Sequence, residues 1–218
     1  MKRWGLLITS VYFLIVVCLI VPASVLLMGK APTSVAGWLQ GYQEWLLWMW
    51  IGILVGGEAL LLFLSVDTSH KRLKPRQHVL VSVALVALMV TLLTFAGALS
   101  LLAAWRGDRL FERPVGSYID TPFDVIAWVL ALWGIWGLIF WSSAKDQPPA
   151  LTAFIRRLMK GSVFELLIAV PAHVWVRHRQ DCSAPIVTSW GMGTGVAILL
   201  LCFGPGVLLL YRSRIKRL

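Results

Sequence analysis

Two glutamates, a histidine and an arginine set the chemical question in this sequence. Glu58 and Glu165 stand inside apolar runs, and His173 and Arg177 follow Glu165 on the same segment. A bare carboxylate in hydrocarbon is costly, so an acid held there is protonated, paired or in touch with water. Spacing in fours puts Glu165, Ala169, His173 and Arg177 on one helical ridge. Pro171 interrupts that ridge. It removes the backbone bond to the Leu167 carbonyl and predicts a kink beside the acid and the histidine. Glu165, His173 and Arg177 therefore form a candidate polar pocket for an ion or small solute, with Glu58 as the group that would face it from another helix. The competing reading makes both acids structural partners of buried groups, and makes Arg177 a side chain that reaches the headgroups.

A metal site is the second chemistry on offer. His173, His178 and Cys182 supply borderline and soft ligands at the end of the same segment. Their spacing matches no known motif, and the three cysteines, Cys18, Cys182 and Cys202, contain no CxxC pair. Asp124 is a weaker candidate. It follows Pro122 by two residues, where an acid caps a helix start and favours its dipole. Hydrolase and nucleotide signatures are missing: there is no GxSxG. Gly191-Met-Gly-Thr-Gly195 lacks the strand and the GK[ST] ending of a phosphate loop. Gly191 and Gly195 fit a small-xxx-small helix-packing face instead. No cofactor is implied, and His78 and His173 belong at opposite membrane faces, too far apart to hold one haem.

The elements that must position these groups are transmembrane helices. Of 218 residues, 59% are hydrophobic and 14% charged, and mean hydropathy is +0.80. A soluble domain has nearer 45–50% apolar and about 25% charged residues. The expected fold is an all-α polytopic bundle, residues 1–218 forming one domain. Five runs, near 5–29, 44–66, 78–104, 122–144 and 187–211, reach the ~20 residues that a crossing needs. The first is too long for the h-region of a signal peptide. A sixth, 161–176, is short, and is expected to be a brief Pro-kinked span, a re-entrant segment or a surface helix. Before it, 145–160 reads as a Pro-Pro break and a basic amphipathic turn at the interface.

Charge bias orders the spans. With six crossings and a cytoplasmic N-terminus, fourteen basic residues fall inside: Lys2, Arg3, Lys71, Arg72, Lys74, Arg76, Lys145, Arg156, Arg157, Lys160, Arg212, Arg214, Lys216 and Arg217. Six fall outside: Lys30, Arg106, Arg109, Arg113, Arg177 and Arg179. This is the positive-inside pattern, with both termini cytoplasmic, and it points to a cell inner membrane. The net charge of +10 thus reflects topology and anionic headgroups, not nucleic acid. The twelve tryptophans suit interface belts and faces that pack on lipid or on other membrane subunits. Three functions remain: handling of a solute or ion, which is the leading one, a non-catalytic accessory subunit, and a metal-dependent membrane enzyme.

Overall fold

A computed structural model describes residues 2–27, 34–35, 37–38, 42–65, 77–107, 122–144 and 151–215. Among them the fold is all helical. The first rod consists of α1 (Lys2–Ile15), a single π turn (Val16–Ile20) and α2 (Val21–Leu27). Then come α3 (Trp45–Ser65), α4 (Gln77–Arg106), α5 (Pro122–Ala144), α6 (Leu151–His178) and α7 (Ala184–Ile215).

Five helical stretches are long and apolar enough to cross a membrane: Gly5–Leu27, Trp45–Leu62, Leu80–Arg106, Ile155–His178 and Ala184–Gly204. Helix α5 carries a shorter apolar stretch, Ile126–Ser142. The chain is thus a membrane-embedded helix bundle. One expectation is corrected. The 161–176 run is neither short nor re-entrant, because 151–160 forms the opening turns of the same 28-residue helix and Pro171 does not end it. Pro171 is exposed on the outside of the bundle.

Contacts between the helices fix their directions. Against α7, Ile8 meets Gly204, the Tyr12 hydroxyl donates to the Ala197 carbonyl at 2.9 Å, and Ser24 meets Gly193, so the first rod runs antiparallel to α7. Trp50 donates to Thr194 and Glu58 meets Gly204, so α3 runs parallel to α7. Leu93 meets Gly161 and Gly97 meets Glu165, so α4 runs parallel to α6. Helix α5 docks on α4 through Trp133, whose indole N–H donates to the Ala84 carbonyl at 2.8 Å.

Between α6 and α7 the seam is built of small residues. Ser162, Glu165, Ala169, Ala172 and Val176 are buried on α6, and Ala184, Thr188, Gly191, Gly195, Ile198 and Cys202 on α7. Steps of three and four recur on both helices, which keeps the seam facing its partner along a shallow crossing. Lipid tails give helices no hydrophobic reason to associate, so close backbone approach over small residues supplies the attraction. The opposite face of α6 exposes Phe164, Leu167, Val174 and Trp175, as a lipid-facing surface should.

Candidate functional site

Glu165 sits where α4, α6 and α7 meet. Its residue is 3% exposed. Gly97 of α4 lies against its side chain, and Gly191 and Gly195 of α7 lie against its carboxyl. A methyl carbon placed on Gly191 would stand 3.3 Å from Glu165 Oε1 and 3.5 Å from the Ala96 carbonyl oxygen, and would strike Ser100 Oγ. One placed on Gly195 would strike Glu165 Oε2. The two glycines thus make the space the carboxyl occupies. Neither carboxyl oxygen, nor Ser100 Oγ, has a hydrogen-bond partner among the described residues. One turn away, Ser162 is satisfied: its hydroxyl donates to the Gly195 carbonyl at 2.8 Å.

His173 lies two turns further along α6, buried, with Nδ1 at 2.9 Å from the Thr188 hydroxyl oxygen. That hydroxyl also lies 3.3 Å from the carbonyls of Ala184 and Pro185. The ring's tautomer sets whether Nδ1 donates to this hydroxyl or accepts from it. Glu165 and His173 therefore face the same stripe of α7 at different depths. Arg177 does not join them; it is exposed near the end of α6. Among the described residues the ion pair is Arg179 with Asp181, at 2.7 Å, so Glu165 is not paired with Arg177.

Glu58 is 1% exposed, yet it belongs to another seam. Its Oε1 lies against Gly204, and Oε2 lacks a hydrogen-bond partner. Gly204 follows Gly195 by nine residues. At 100° and 1.5 Å per residue that is about 180° around α7 and ~13 Å along it. The two acids thus address opposite faces of one helix, and the pocket expected to unite them is divided.

The candidate metal ligands do not gather in one place. Among the described residues no three His, Cys, Asp or Glu side chains gather. His173 is turned into the bundle toward Thr188, whereas His178 and Cys182 are exposed. Asp124 is the third residue of α5.

Two features of this region were not singled out in the sequence. The first is Ser100, one of four hydroxyl residues in α4 with Ser82, Thr91 and Thr94; its three-residue step from Gly97 was the available signal. The second is a cap at the end of α4. Gly107, at φ +60°, closes the helix through a 2.8 Å bond to the Ala103 carbonyl. Arg179 donates to that same carbonyl at 3.3 Å while gripping Asp181. A guanidinium there answers the negative end of the helix dipole. Comparison with known protein families, curated proteins and solved structures finds no match for this chain.

Proposed function

We propose that this chain is an inner-membrane protein of six crossings, with both termini cytoplasmic, that handles a small ion at the seam of α4, α6 and α7. The observation that carries the reading is the Glu165 carboxyl, buried with both oxygens unpartnered between two glycines. A structural acid at that depth would be held by donors or a cation. An acid that exchanges a proton or ion has to leave its oxygens available. His173 and Thr188, on the same stripe, extend the polar path toward the end of α6.

The topology argument supports six crossings. Helices α4 and α6 run parallel, so the chain must traverse the bundle once between them, and α5 is the helix available for that return. The charge bias then sets the cytoplasmic side.

The test is reaction with a hydrophobic carbodiimide in native membranes, read by peptide mass spectrometry. A protonated, exchangeable carboxyl adds the reagent, so Glu165 should be labelled in the wild type and the label should vanish in E165Q. Proteoliposomes holding sodium- and pH-sensitive dyes should show ion flux that E165Q abolishes. Flux equal to that of protein-free liposomes, together with an unreactive Glu165, would overturn ion handling.

The accessory-subunit reading keeps one specific support, the exposed apolar strip of Phe164, Leu167, Val174 and Trp175 on α6. A partner that co-purifies and shields this strip from lipid-soluble photolabels would favour it.

A further inference from the structure

The geometry points to a sodium site on the hydrogen-only face of Gly191, formed by the Glu165 carboxylate, Ser100 Oγ and the Ala96 backbone carbonyl; this rests on the ion-handling reading and names the ion. Three observations converge on one point. Ser100 Oγ, Glu165 Oε1 and the Ala96 oxygen all lie within 3.5 Å of the position a side chain on Gly191 would take. They come from two helices and meet at the surface of a third. Two of the three groups, Ser100 and Glu165, are buried at 0% and 3% exposure, and their oxygens lack hydrogen-bond partners.

Oxygen chemistry selects the ligand. Carboxylate, hydroxyl and carbonyl oxygens suit hard cations and disfavour zinc or copper, which prefer nitrogen and sulfur. Ala96 can take part although it is helical, because a carbonyl has a second lone pair beyond the one used in the helix bond. Charge selects the valence. The site contributes one negative charge, so a monovalent ion makes it neutral, whereas a divalent ion would leave a net positive charge in hydrocarbon. Field strength selects among monovalent ions. A carboxylate is a high-field oxygen donor, and such donors favour the smaller sodium ion over potassium. Neutralisation would also ease the burial problem, since a bound ion gives Oε1 and Ser100 Oγ a partner and cancels the carboxylate charge.

Glu58 makes a useful contrast. It is equally buried, but it meets Gly204 on the far face of α7.

The experiment is thermal melting of the full chain in mild detergent, with sodium chloride compared against potassium, choline and calcium chlorides at equal ionic strength. An ion that binds only the folded state stabilises it by mass action, and a hundredfold excess over Kd raises Tm by ~5–10 °C in a chain of this size. Sodium should give that shift in the wild type and in E58Q. The shift should be lost in E165Q and reduced in S100A. If the variants fail to fold, sodium protection of Glu165 against the carbodiimide, in the wild type, reads the same site. Equal melting in sodium and choline, with no protection, would overturn the sodium site. Carbodiimide labelling and E165Q-sensitive flux would in that case still stand, pointing to the proton as the ion handled. Greater stabilisation by calcium than by sodium would overturn the monovalent assignment.

Discussion

At the scale of residues, the two acids behave as unpaired groups, and this has a consequence for stability. Removing one member of a buried ion pair costs about 3–5 kcal/mol, because the other charge is stranded. Glu165 strands nothing when it is neutralised, since no cation stands against it among the described residues. E165Q, measured in choline buffer, is therefore expected to melt no lower than the wild type; a fall equivalent to several kcal/mol would expose a hidden partner. The glycines obey the opposite rule. Gly195→Ala drives a methyl into Glu165 Oε2 and into Leu166, whose atoms would stand 2.9 Å away. Overpacking of this kind costs about 1–3 kcal/mol. Gly52, with nothing within 4 Å of its would-be Cβ, is the control, and Gly52→Ala should be neutral or mildly stabilising. Adding Glu165→Ala to Gly195→Ala should recover part of the loss, and the double-mutant cycle measures how much of it comes from the carboxyl.

At the scale of elements, proline explains why the first rod changes pitch. Pro22 has no N–H and its ring crowds the carbonyl of Cys18, four residues earlier. The helix relieves this with one π turn, in which Val21 N–H bonds back five residues to Val16. Continuing that pattern would pair Pro22 with Val17, which is impossible. The orphaned Val17 carbonyl is taken instead by the Tyr42 hydroxyl at 2.7 Å. Tyr42→Phe should thus lower stability by about 1–3 kcal/mol, the cost of an unsatisfied buried group. With Pro22→Ala as background the backbone supplies its own donor, and the same substitution should be nearly silent by thermal melting. Pro171, by contrast, lies exposed within α6, and the helix continues past it. Proline spacing was legible in the sequence. Which proline would bend its helix was not, since that depends on what packs against each one.

At the scale of the whole molecule, what local composition encodes was readable and what packing decides was not. Apolar length and the Gly191/Gly195 step announced the helices and one of their faces. Glu165 was visible because an acid in such a run is anomalous by itself. Ser100 was not, because a serine in an apolar helix is ordinary until another helix brings a carboxyl beside it. The separation of Glu58 from Glu165 was hidden for the same reason, as it follows from the phase of α7 between Gly195 and Gly204. The span count depends on both levels. The run 161–176 looked short, because its first turns lie in a segment containing Arg156, Arg157 and Lys160. Helix α6 nonetheless continues through them, with Arg157 resting over the ring of Phe140 at 5.5 Å from its centroid. Parallel α4 and α6 support the proposed return of the chain through α5. The first rod, antiparallel to α7, brings the start of α1 close to the end of α7. This supports the proposal that both ends of the chain lie on one side, which the fourteen-to-six distribution of basic residues would make cytoplasmic. Reporter fusions after Leu218 and within 72–76 should both read cytoplasmic, while a fusion within 109–113 should read external. A C-terminal fusion that reads external would break the six-crossing arrangement, and with it the assignment of α5 as the return helix.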